Sequence, residues 1–347
     1  KIFIKDNFSF FDKTNIPIIN NHEDLGYIIF GPLLYYYTVW LNQKAKKLKA
    51  KKILFCAREG YFMIQLFRLL RKKMKIKNYC KAIYFKTSRR MAVIPALKNF
   101  NDILASFENH RFYGSSKNLL SMRLGVNIKP EKKFQQLVLN NLENPIQFRK
   151  FLEKHENFIL DNAKNEKKNY KKYLNNIIKK KERIIICDQG FNGSVQSALE
   201  KILDTRFYGV YMSVKEKLRK IDRSSKIGFY NYNGNFRSLN HIFESVFTAP
   251  HGTYIKFDGK KFFYMDKKMS NQKFFNTKNK IFSGVKTYFS DMVKLEPDID
   301  SLDLKNNFPD QIFGLMKQNQ IQVDQKILKS FYFDNNYVRK GENKITF

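Results

Sequence analysis

The sequence predicts an α/β protein built on a parallel sheet, with a helical insertion and a mixed C-terminal region. Three observations carry that prediction. Short β-rich apolar runs recur at Lys52–Cys56, Ala82–Thr87, Arg183–Cys187 and Phe207–Ser213. The first and third break into glycine-containing turns followed by helical patterns, Tyr61–Leu70 and Val195–Leu203, which is the repeating unit of a parallel sheet. The chain has 347 residues, 43% hydrophobic and 16% aromatic. That is ample for one large core or two modest ones and excludes a mostly disordered chain.

The elements follow in order. Residues 1–22 read as irregular and aromatic, with turn signals at Asn15–Pro17 and Asn20–Asn21. Glu23 to about Lys49 reads as one helix, apolar first and basic over Lys44–Lys52. The strand Lys52–Cys56 runs into Ala57-Arg58-Glu59-Gly60, and the strand Ala82–Thr87 into Ser88-Arg89-Arg90. Residues 97–181 look helical throughout, with Lys-rich faces. Arg183–Cys187 then enters the turn Asp188–Ser194. These features divide the chain into an N-terminal segment and helix (1–50), an α/β core (51–225) carrying the insertion 97–181, and a mixed region (226–347) rich in Asn, Phe and Lys.

Sixty-five bases against 31 acids give a net charge of +34. Such a balance suits an anionic partner: phosphate groups, nucleic acid or an acidic membrane surface. A composition of 51 Lys, 14 Arg and 34 Asn also fits AT-rich coding, which inflates lysine without a ligand and leaves the few arginines more informative. Cys56, Cys80 and Cys187 form neither a spaced metal pair nor an even disulfide set, which points to a cytoplasmic setting. The longest apolar stretch, Ile28–Leu41, is too short to span a bilayer and is broken by Gly31 and Pro32. No signal-peptide pattern is read.

Three loops could carry chemistry. In Asp188-Gln189-Gly190-Phe191-Asn192-Gly193-Ser194, two glycines and a hydroxyl separate a buried strand from a helix, so backbone amides converge where the helix dipole favours an anion. This suits a phosphate monoester, with Asp188 placed for sugar hydroxyls or a metal-bound water. A Walker A loop is excluded because no Gly-Lys-Ser/Thr follows. An ordinary βα turn with a capping Ser is the alternative. Arg58-Glu59-Gly60 offers a guanidinium fork for a diphosphate, or is a tight surface turn. Lys86 with Ser88-Arg89-Arg90 adds cations, or is a solvated turn. All three follow strands, and ligands of open α/β sheets collect at the carboxyl ends of strands.

The ordered set Leu25-Gly26-Tyr27, Gly31-Pro32-Leu33, Phe55–Tyr61, Ser88-Arg89-Arg90, Asp188–Gln196 and Phe243-Glu244-Ser245 to Pro250-His251-Gly252 resembles one bacterial family over residues 23–255. This is the polysaccharide-biosynthesis domain often fused to, or labelled as, a hydrolase of the haloacid-dehalogenase type. The resemblance implies a phosphoribosyltransferase-like fold that moves 5-phosphoribose from phosphoribosyl diphosphate (PRPP) to a glycan acceptor in capsule or O-antigen synthesis. It implies a separate phosphatase that removes the 5-phosphate, and the charge on a departing diphosphate calls for Arg and for Mg²⁺ as cofactor. Asp188 and Gly190–Ser194 would hold the ribose phosphate, Arg58, Glu59 and Gly60 the diphosphate, and Arg89 or Arg90 the departing charge. The family usually carries Asp where this chain has Glu59, and ordinary phosphoribosyltransferases often place two acids where only Asp188 stands.

For the acceptor hydroxyl, Glu244 and His251 are the candidate bases, against readings as a surface Glu and a loop His. His22, His110, His155 and His241 show no pairing. Asp298-Ile299-Asp300 has the shape of a nucleotide-sugar metal motif in an acidic loop. No Asp-x-Asp follows the first strand, so dehalogenase-type hydrolysis is not expected of this chain. A transferase using another phosphosugar donor, and a basic nucleic-acid-binding protein, are the competing functions. The basic helices Leu41–Lys52 and Lys164–Lys181 suggest contact with an anionic inner leaflet.

Overall fold

The structure is a computed structural model that describes residues 10–11, 16–77, 79–107, 112–129, 136–139, 146–190, 192–215, 226–231, 242–265, 272, 274–296, 298–302, 304, 311, 314–316, 318–334 and 342–344. At its centre lies a five-stranded sheet of β1 (Lys52–Cys56), β2 (Lys81–Phe85), β3 (Ile184–Asp188), β4 (Tyr208–Val214) and β5 (Lys226–Asn231). All neighbouring pairs are parallel, and the spatial order is β2-β1-β3-β4-β5. That is a doubly wound order, whose direction of winding reverses between β1 and β3.

The alternation of side chains along each strand explains why these runs are apolar without interruption. Ile53 and Phe55 of β1, with Ile185 and Cys187 of β3, enter one core. Leu54 and Cys56, with Ile184 and Ile186, enter the other. The first face is covered by α1 (Gly31–Lys47), α2 (Gly60–Lys73) and α6 (Phe275–Leu295). The opposite face carries α3 (Arg89–Val93), α4 (Glu156–Ile177) and α5 (Ser194–Leu203).

Several elements differ from the sequence reading. The helix expected from Glu23 to Lys49 is three pieces: His22–Leu25, a π-helical turn Gly26–Phe30, and α1. Pro32 has no amide to donate, and the Gly31 N–H reaches back to the Gly26 carbonyl, five residues away. Residues 1–22 include two short strands, Phe10–Phe11 and Pro17–Ile19, the second pairing with Gln322–Val323 far along the chain. The insertion 97–181 is not helical throughout. It holds an antiparallel pair, Phe112–Ser115 with Gln136–Leu139, whose Phe112-Tyr113 and Leu137-Val138-Leu139 are strand-forming residues. It also has its own core, in which Leu119, Phe148 and Ile159 are fully buried. Beyond residue 225, where the sequence reads only as mixed, β5 completes the sheet. Further on, α6 packs on the N-terminal helices so closely that a Cβ on Gly284 would lie 1.9 Å from the Glu23 carbonyl oxygen.

Among the described residues, no helix is long and apolar enough to cross a membrane. The three cysteines are buried and unbonded to one another.

Candidate active site

The reversal of winding leaves a crevice above the carboxyl ends of β1 and β3, and a cavity of about 180 Å³ occupies it. The loops after β1, β2 and β3 all line this cavity, joined by Glu244 from the segment after β5. From β1 come Arg58 and Glu59, on a turn whose Ala57–Arg58 peptide is cis. The Arg58 amide donates to the Glu59 carboxylate at 3.0 Å.

The turn after β3 contributes Asp188, Gln189, Gly190, Asn192, Gly193 and Ser194. Phe191 lies outside the described residues. Gly193 takes φ +59° as the residue that opens α5, and a Cβ there would sit 2.8 Å from Lys226 Cε. A side chain at Gly190 would approach the Asp188 carboxylate at 3.1 Å. Both glycines let the turn pass through positions where a side chain would collide, and the Gly190 amide, like that of Gln189, donates to the Asp188 carboxylate. Gln196, one turn into α5, is fully buried. It donates to the Glu200 carboxylate and the Phe207 carbonyl, each at 3.0 Å, and accepts from the Tyr211 hydroxyl at 2.8 Å. These bonds lock the helix start against β4.

Burial dominates the electrostatics. It pushes the Asp188 carboxyl up to about 7, with the charge of Glu59 next in effect. The Gln189 amide, donating to Asp188 at 2.8 Å, and the charge of Arg89 oppose this rise. Glu244 is raised to about 8 by burial and then by Glu59, while Arg58 and Arg89 pull it down. Residues from four separate chain segments thus feel one another's charge, with two cations set among three carboxylates. Among the described residues, no three His, Cys, Asp or Glu side chains stand at metal-ligand spacing.

Other expected residues serve the framework. Ser88 caps α3 by accepting from the Met91 amide at 3.0 Å, and donates to the Tyr254 carbonyl at 2.6 Å. Arg90 borders the cavity but is 5% exposed. Its guanidinium donates to the carbonyls of Ser121 and Ile255 and to the Glu166 carboxylate. Gly60 is absent from the cavity lining. It opens α2 where a Cβ would meet the Phe55 backbone at 2.7 Å. His251 is also outside the lining, in an aromatic group with Tyr84 and Tyr254, where it shares a 2.8 Å hydrogen bond with the Tyr84 hydroxyl. Of the other histidines, His110 and His241 fall outside the described residues. Asp300 pairs with Lys46 at 2.6 Å, at the opposite end of the sheet from the cavity.

Sequence reasoning missed Met122, Thr253 and Met265, which complete the cavity wall. Met122 comes from a helix of the insertion. Thr253 and Met265 flank the hairpin of β6 (Tyr254–Phe257) and β7 (Phe262–Tyr264), closed by a 2.9 Å bond from the Met265 amide to the Thr253 carbonyl. Nothing in their local sequence marks them, because only packing brings them to the rim.

The chain matches no family model, and a search of curated proteins finds no match.

Proposed function

We propose that this protein is a glycan phosphoribosyltransferase: it transfers 5-phosphoribose from PRPP to a polysaccharide acceptor. The observation that carries the reading is the meeting of Arg58, Arg89 and the Gly193–Ser194 start of α5 around one cavity at the switch point. A donor with a phosphate at one end and a diphosphate at the other needs two separate anion seats. The amides at the head of α5 suit the 5-phosphate, and Arg58 and Arg89 suit the diphosphate.

Mg²⁺ fits this site as a companion of the donor. It typically takes one or two carboxylates and completes its shell with phosphate oxygens and water. Glu59 and Asp188 are the carboxylates that would hold it, and the rise in the Asp188 pKa caused by Glu59 is a repulsion that a cation relieves. Bound there, the ion supplies positive charge to the diphosphate oxygens.

In the reaction the bond from ribose C1 to diphosphate breaks and a bond from C1 to the acceptor oxygen forms. Arg58 and Arg89 neutralise charge that grows on the leaving oxygens. Asp188 orients the ribose hydroxyls. Glu244 takes the acceptor proton; burial raises its pKa to about 8, so its basic form grows as pH rises through that value. The product keeps its 5-phosphate, so a separate phosphatase would complete a ribofuranose unit.

The test incubates the protein with PRPP, Mg²⁺ and a panel of capsule and O-antigen fragments, read by mass spectrometry. Addition of one phosphopentose is expected. A thermal shift with PRPP, but not with nucleotide sugars, separates this donor from other phosphosugars through mass action. A folded protein that is not stabilised by PRPP and forms no adduct would sink the reading.

A further inference from the structure

At the end of the sheet opposite the cavity lies a second feature, unrelated to the proposed reaction. A groove of about 840 Å³ runs between the C-terminal half of α2 and the first residues of β1 and β2. Its rim carries Lys51, Arg68, Lys72 and Lys81, all exposed, over a floor that includes half-buried Ile76 and Tyr79. No acidic residue lines it. Among the described residues, no ion pair engages Lys51, Lys72 or Lys81. Arg68 donates to the Ala82 carbonyl at 3.2 Å.

The groove is the centre of a wider basic face. Parallel strands bring their starts together: the Lys51 amide donates to the Arg183 carbonyl at 2.8 Å, and the Lys81 amide to the Lys51 carbonyl at 2.9 Å. The same edge receives the ends of α1, α2 and α4, adding exposed Lys46, Lys47, Lys73, Lys77, Lys179 and Lys180. The acids here are Glu182, held by Lys52, and Asp300, held by Lys46, each at 2.6 Å, with exposed Asp298 beside Asp300 and Asp204 at the end of α5.

The backbone gives an independent sign. Lys49, Lys75 and Lys181 adopt φ of +50°, +50° and +67° where the chain turns from helix toward strand. That left-handed region favours Gly or Asn. Asn is abundant in this chain, so a coding bias toward AT-rich codons would supply it as readily as Lys. The helix dipole rewards lysine in a last turn, but it does not account for the strand-entry residues Lys51, Lys81 and Arg183. Of the four helix-to-strand positions in this conformation on this face, three hold lysine and one, Asp204 at φ +50°, an acid.

We propose that this basic pole docks on an anionic phospholipid bilayer, with lipid phosphates seated in the Lys51–Arg68–Lys72–Lys81 groove. The charge complementarity is that of a polybasic surface, and the floor of Ile76 and Tyr79 accommodates the glycerol side of a headgroup. Docking this way turns the cavity away from the lipid, some five strand residues distant. It assigns binding to the ends of three helices rather than to the exposed middle of α4.

The experiment is co-sedimentation of the full chain with phosphatidylcholine vesicles, with and without phosphatidylglycerol at about 30 mol%. Binding only to the anionic vesicles is expected, weakening as salt rises. The triple variant Lys51→Gln, Lys72→Gln, Lys81→Gln should bind roughly 100-fold more weakly, about fivefold per charge. The comparison variant Lys164→Gln, Lys168→Gln, Lys172→Gln removes three exposed charges from the middle of α4 and should bind like the parent. Circular dichroism confirms that both variants stay folded. Equal losses in the two variants, or no anionic-vesicle binding by the parent, would overturn the proposal. So would a groove that binds soluble sn-glycerol 3-phosphate while the protein ignores vesicles.

Discussion

Glu59 and Asp188 stand at the carboxyl ends of neighbouring strands, and the charge of the first raises the pKa of the second. They are 129 positions apart in the chain, and the adjacency of β1 and β3 joins them.

Replacing Asp188 by Asn should abolish transfer while leaving the protein folded. The stability effect has a sign. With a folded pKa of about 7 against an ordinary 3.8, Asp188 binds its proton more tightly in the folded protein. It therefore contributes stability at low pH that is lost as pH rises from about 4 to about 7. Asp188→Asn should gain on the parent by a few degrees in melting temperature between pH 4 and pH 8. Melting curves at both pH values check this, and an unchanged difference would contradict it.

The neighbouring arginines should behave differently. Arg89→Met should weaken PRPP binding roughly 10- to 100-fold, as expected for a charge-assisted contact, and should cost less stability than loss of the buried Arg90. Arg90→Met leaves Glu166 buried without its partner and should destabilise by about 3 kcal/mol or more. Calorimetry of binding, paired with chemical denaturation, separates the two. Equal loss of stability in both would show that Arg89 also belongs to the framework.

Gly193→Ala places a Cβ at positive φ and against Lys226. A cost of about 1–2 kcal/mol in stability is expected from the backbone alone. Distortion of the α5 start should also weaken phosphate binding, measured as a loss of the PRPP-induced thermal shift. A normal shift in a destabilised variant would remove this turn from the phosphate seat.

Glu244 and His251 can be told apart by pH. Glu244→Gln should reduce the transfer rate 10²-fold or more and flatten its rise with pH between about 6 and 8. His251→Asn should leave the profile unchanged and lower stability slightly, because His251 bonds Tyr84 outside the cavity lining. A profile that flattens with His251→Asn instead would reverse the assignment.

Binding of Mg²⁺ should release protons near pH 7, because Asp188 holds its own until about 7. Calorimetric heats measured in buffers of different ionisation enthalpy would reveal that release. Buffer-independent heats would show that the carboxylates do not meet the cation.

By itself the sequence determined the first four strands of the sheet and the three loops that follow β1, β2 and β3. Local signals sufficed there: β-rich runs such as Lys52–Cys56 are buried on both faces, and Gly-containing turns interrupt them. It did not reveal β5, whose run Lys226–Asn231 mixes Lys, Gly and Asn with aromatics and gains its place from pairing with β4. Nor did it separate Arg89 from Arg90, or Glu244 from His251. The two arginines are adjacent and identical in type, Glu244 and His251 share one stretch of chain, and the difference within each pair lies in what each side chain meets across the fold. Strand order alone decided that loops more than a hundred residues apart share one cavity, because hydrogen bonding between β1 and β3 is a long-range choice that no local pattern encodes.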